Sequence, residues 1–60
     1  MDMTTISQHA HALYRAHGDR AEAEAQHQFR EAEARGDSAE AEDWKAIRKT
    51  IRMLRGPNES

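Results

Sequence analysis

Four histidines, His9, His11, His17 and His27, are the side chains most able to hold a metal in this sequence. His9 and His11 are two positions apart, which on a helix turns them about 200° from one another. They cannot share an ion. His17 falls where a helix is expected to end, a place suited to carbonyl capping or partial burial. Glu24 and His27 stand at i, i+3, the spacing used by di-iron four-helix bundles. Such a centre needs a second pair and two further inward glutamates. The first helical segment offers no carboxylate, and Glu24 and His27 lie about 120° from the apolar stripe that contains Phe29. Two copies of the chain could supply two pairs, but the remaining ligands are missing. No metal or cofactor is expected.

Catalytic chemistry has still less material. There is no Cys, hence no thiol nucleophile, disulfide or thiolate metal site. No Gly-rich phosphate loop or nucleophile elbow occurs, and Ser7 and Ser38 read as first-turn helix residues. A short Ala-rich chain also has little room for an enzyme-sized pocket. It is not expected to be an enzyme.

What remains is charge. Residues 1–43 carry four basic and ten acidic groups, whereas 44–56 carry five basic and none acidic. On a helix Lys45, Arg48, Lys49, Arg52 and Arg55 gather on one side, opposite a stripe of Trp44, Ile47, Ile51 and Leu54. Ala39, Ala46, Thr50 and Met53 fall beside that stripe. Such a cationic side can meet a nucleic-acid backbone or an acidic protein. The favoured reading is that these charges are solvated, or paired with Glu22, Glu24, Glu31 and Glu33. Aromatic interleaving and a set of base-reading polar residues are both lacking, so nucleic acid is the alternative and not the favoured partner.

The elements that must carry these groups are all helical. Thr5-Ile6-Ser7-Gln8 fits a capping box, after a frayed lead-in over 1–4. Ile6, Ala10, Leu13 and Tyr14 then share a face until Gly18. Asp19-Arg20-Ala21-Glu22 reads as a second box, opening a helix with the narrow stripe Ala21, Ala25, Phe29 and Ala32 that stops at Gly36. Asp37-Ser38-Ala39-Glu40 opens the third, which Gly56-Pro57 ends. Acidic residues near its start and Arg52 and Arg55 near its end suit the helix dipole. The end, 57–60, is expected to be disordered. No Val and no alternating run occurs, so no strand is expected.

The segment Ala16 to Ala25 recurs 18 residues later as Ala34 to Asp43, each copy built on a Gly-Asp pair. Leu13-Tyr14-Arg15-Ala16-His17-Gly18-Asp19-Arg20-Ala21-Glu22-Ala23 resembles the inter-helix turn of a tetratricopeptide repeat, and Phe29 to Ala41 resembles it less closely. The similarity covers about half the chain. It departs from that family in its repeat length and in lacking the Trp-Leu-Gly opening and the terminal Pro. The resemblance implies helical hairpins and, more distantly, a peptide-binding groove.

Sixty residues make one small domain at most. Eleven of the 22 apolar residues are Ala, leaving eleven larger apolar side chains. Burying one contributes about 1.5–3 kcal/mol, whereas ordering each residue costs about 1.5 kcal/mol. Self-association is the expected remedy. The expectation is an all-α fold of three antiparallel helices at about 6–17, 20–35 and 38–55, joined by Gly-Asp turns and completed by dimerisation. Leu13, Tyr14, Phe29, Trp44, Ile47, Ile51, Met53 and Leu54 should form the core and the self-association surface. Thr5, Gly18, Asp19, Gly36, Asp37 and Gly56 should delimit the helices. No leader-like or membrane-spanning segment is read. The expected role is a cytoplasmic, non-enzymatic interaction or regulatory module, forming a homodimer and binding another protein, with no membrane partner.

Overall fold

Two isoleucines one helical turn apart, Ile47 and Ile51, are fully buried and hold the molecule together. They lie on α3 (Ser38–Leu54). Against them pack Ile6 and Ala10 of α1 (Met3–His17) and Ala21 and Ala25 of α2 (Ala21–Ala34). Leu13, Tyr14, Trp44 and Ala46 close around this cluster, partly buried. The structure is a computed structural model and describes residues 2–56. Among these residues all regular structure is helical and no strand occurs.

The helices do not form three antiparallel neighbours. A 3₁₀ turn, Gly18–Arg20, runs directly from α1 into α2, making one long helical stretch with a bend. α3 packs most extensively on α2 and next on α1, while the two arms of the bent stretch share little surface. The reason lies in the side chains. α2 offers mostly Ala, so α1 would gain little by lying along it. Ile47 and Ile51 can cover both arms at once. α3 does run antiparallel to α2, because Glu22 meets Arg55 and Gln26 meets Arg48.

The two Gly-Asp pairs explain this difference locally. At Gly36 (φ 77°) the Gly36 N–H donates to Glu33 O (3.0 Å) and the Asp37 N–H to Ala32 O (2.9 Å). That is a Schellman closure, which reverses the chain. Asp37 then caps α3, its carboxylate accepting from the Glu40 N–H at 3.1 Å. Gly18 instead has φ 59° and ψ −127°, outside the left-handed helical well and close to the first central position of a type II′ turn. Asp19 therefore sits inside the 3₁₀ turn and makes no cap. Arg20 occupies the position before α2, already helical and without a side-chain cap bond. The expected cap at Asp19 is corrected accordingly.

The start of α1 is corrected as well. Asp2, not Thr5, is the N-cap, its Oδ1 accepting from the Thr5 N–H at 2.8 Å. Asp ranks at least as high as Thr in this role, and the earlier start adds three residues to the helix. Asp2 to Thr4, expected as part of a frayed lead-in, are thus the cap and first turn. At the other end Arg55 is the C-cap, and Gly56 (φ 101°) donates to Met53 O at 3.1 Å. Met1 and the expected disordered end at 57–60 lie outside the described residues.

Candidate interaction surfaces

The five cations of α3 divide into two sets. Arg48 and Arg55 are half-buried and turn toward α2. Arg48 Nη1 donates to Gln26 Oε1, and its guanidinium carbon lies 6.0 Å from the centroid of the Phe29 ring. Arg55 Nη1 donates to Glu22 Oε1 at 2.8 Å, with both side chains about a quarter exposed. This pair joins the end of α3 to the start of α2. Lys45, Lys49 and Arg52 are exposed. They stand at i, i+4 and i+7, a single file about 10.5 Å long on the helix surface. The sequence missed this division, although the phase of Arg48 and Arg55, about 60–80° off Lys45, was its visible trace.

The apolar candidates also divide. Ile47 and Ile51 are core, while Leu13, Tyr14, Phe29, Trp44 and Leu54 are only half-buried in the single chain. Met53, placed beside the stripe on α3, is 72 % exposed, and Ala39 is exposed too. Those two positions are not part of the chain's own core. The true core instead includes five alanines, Ala10, Ala21, Ala25, Ala32 and Ala41. Thr50 is half-buried and bends its Oγ1 back to Ala46 O at 2.9 Å, so its polar atom is satisfied within the helix.

His9 has a packing role that its spacing from His11 does not reveal. It packs edge-on against Trp44, ring centroids 5.1 Å apart at 62°, and so ties α1 to α3. His11, His17 and His27 are exposed. Among the described residues no group of three His, Cys, Asp or Glu side chains is arranged to hold a metal ion.

Shallow clefts run between α2 and α3. One of about 320 Å³ is lined by Phe29, Glu33, Gly36, Ser38, Ala41, Glu42 and Lys45. Another of about 390 Å³ holds the Glu22, Gln26, Arg48 and Arg55 group. Both are open grooves, the second already bridged by the Arg48–Gln26 and Arg55–Glu22 bonds, and neither gathers a nucleophile with a base. No helix among the described residues is long and apolar enough to cross a membrane. Comparison with protein families, with curated proteins and with solved structures found no match to this chain.

Proposed function

We propose that this protein is a non-enzymatic helical interaction module of the cytoplasm that forms a homodimer and displays helical surfaces to another protein. One observation carries the reading. Of the ten large apolar side chains among the described residues, only Ile6, Ile47 and Ile51 are buried in the single chain. Leu13, Tyr14, Phe29, Trp44 and Leu54 keep part of their surface in water, and Met3 and Met53 keep most of it. Each of the five half-buried side chains would gain part of the roughly 1.5–3 kcal/mol of full burial against a second copy. A twofold pairing collects every such gain twice.

The rival reading, nucleic-acid binding through all five cations of α3, keeps support only from Lys45, Lys49 and Arg52. Arg48 and Arg55 already have partners on α2. Three phosphate contacts would give a salt slope of about −2.7 in log K on duplex DNA, against about −4.5 for five.

Thermal melting followed by circular dichroism over a wide range of protein concentration tests the preferred reading. The midpoint should rise by several degrees as concentration increases, because association stabilises by mass action. A concentration-independent midpoint, or salt-sensitive DNA binding lost on reversing Lys49 and Arg52, would overturn it.

A further inference from the structure

We infer that the exposed face of α3 is a docking strip for an acidic amphipathic helix of a partner protein. The inference rests on the interaction-module reading and gives that partner its chemistry. Lys45, Lys49 and Arg52 are exposed and line one face of α3. None of them has an ion-pair or hydrogen-bond partner among the described residues. Met53, four residues beyond Lys49 and therefore its neighbour on the helix surface, is 72 % exposed. The strip is thus three cations in single file with one apolar side chain at its C-terminal end. Arg48 and Arg55, which would have broadened it, are withdrawn toward α2.

This form selects among anions. A duplex presents two rows of phosphates and is best met by a wide positive field. Here the field is one residue wide. It ends at the exposed carboxylate of Glu42, three positions before Lys45, and Glu33 and Glu42 both line the adjoining cleft. At physiological salt the screening length of about 8 Å leaves those carboxylates within reach of anything lying on the strip. They repel any anion there, and a phosphate chain, charged at every unit, more than a helix whose carboxylates are confined to the three positions over the cations. An acidic helix suits the strip instead, because its carboxylates at i, i+4 and i+7 repeat on the same spacing as the cations. An apolar residue one step further along would cover Met53. The same strip disfavours a second copy of the chain: α3 against α3 would oppose like charges, which leaves this face open in a dimer built on Leu13, Tyr14, Trp44 and Leu54.

Fluorescence anisotropy with three labelled probes tests the inference. The probes are an Ala/Gln helical peptide with Glu at i, i+4 and i+7 and Leu at i+8, the same peptide with Lys for Glu, and a mixed-sequence DNA duplex. The Glu peptide should bind most tightly at low salt and more weakly at about 0.15 M. A Lys45→Glu/Lys49→Glu/Arg52→Glu variant should lose about tenfold or more for the Glu peptide and should gain binding of the Lys peptide. Met53→Ser should weaken only the Glu peptide. Circular dichroism confirms that each variant is folded. Sedimentation of the triple variant should still show self-association, so loss of the strip and loss of the dimer are separately visible. Equal binding of the Glu and Lys peptides, no binding of either at low salt, or tighter binding of the duplex than of the Glu peptide would overturn the proposal.

Discussion

Arg55 and Glu22 are joined across 33 positions of sequence, with Nη1 and Oε1 2.8 Å apart. The bond ties the last turn of α3 to the first turn of α2, beside the bend. It also takes one cation out of the face that the sequence presents as uniformly basic. Glu22→Gln should lower stability by about 1 kcal/mol or less, because the pair is about a quarter exposed and partly screened. Arg55→Met should cost a similar amount, and the double variant less than the sum of both. Urea melts of the four proteins in a mutant cycle measure this. Strict additivity would mean that the two groups do not interact in solution.

The two turn glycines should respond differently to substitution. A Cβ built on Gly18 or Gly36 meets nothing within 4 Å, so the cost of a side chain is one of backbone conformation alone. L-Ala at either position should destabilise by about 1 kcal/mol or more. Asn should be better tolerated than Ala at Gly36, whose Schellman closure calls for the left-handed well that Asn enters. It should give no such relief at Gly18, where ψ is −127°. D-Ala, introduced by chemical synthesis, should be accepted at Gly18 with stability at or above that of the parent. Equal losses for D- and L-Ala in thermal melts would contradict the assigned backbone.

The cap residues separate in the same way. Asp37→Ala should cost about 0.5–2 kcal/mol through loss of its bond to the Glu40 N–H. Asp19→Ala should stay within about 0.5 kcal/mol of the parent, as an exposed residue with no cap bond does. At Asp2 the Thr5 backbone N–H, followed by the Thr5 side chain, holds the carboxyl below its ordinary 3.8. A folded-state value below the unfolded one means that the stabilisation is fully present above that ordinary value. It is lost as pH falls through the lowered one. Helicity should therefore fall below about pH 4 partly through α1, and Asp2→Asn should flatten that part of the acid titration. An unchanged profile in Asp2→Asn would place the start of α1 elsewhere.

Much of this architecture was legible in the chain, and the exceptions share a cause. The stripe Trp44, Ile47, Ile51 and Leu54 and the Asp37 cap could be read directly, because a helix of 17 residues repeats its pattern enough times to fix its phase. The alanine stripe of α2 was equally clear in Ala21, Ala25 and Ala32. The repeated Gly-Asp pair misled at Gly18, since both copies read as turns between antiparallel helices. Only tertiary packing on Ile47 and Ile51 distinguishes a bend from a hairpin there. At the N-terminus the box Thr5-Ile6-Ser7-Gln8 set the expected start of α1 three residues late, because Asp2 has no Glu or Gln three positions on to mark it as a cap. The withdrawal of Arg48 and Arg55 was hidden for a related reason. A phase angle locates a side chain on its own helix but not the neighbouring helix that it meets.

Ile47 and Ile51 should be the most sensitive positions of the chain. Either change to Ala removes a fully buried side chain from the cluster that joins both arms of the bend to α3, and should cost about 2–5 kcal/mol. In so small a domain that is enough to abolish cooperative melting. Met53→Ala, at a side chain 72 % exposed, should be close to neutral in the same assay. Comparable losses at Met53 and Ile51 would mean that the burial of α3 has been assigned to the wrong face.

Sedimentation equilibrium of the whole chain at micromolar concentration bears most directly on the central claim. The half-buried Leu13, Tyr14, Trp44 and Leu54 should drive pairing, giving a mass approaching twice the 6.8 kDa of one chain. That mass should fall toward a single chain on dilution or on changing Leu13 and Leu54 to Asp. A folded, single-chain species at every concentration tested would contradict the account.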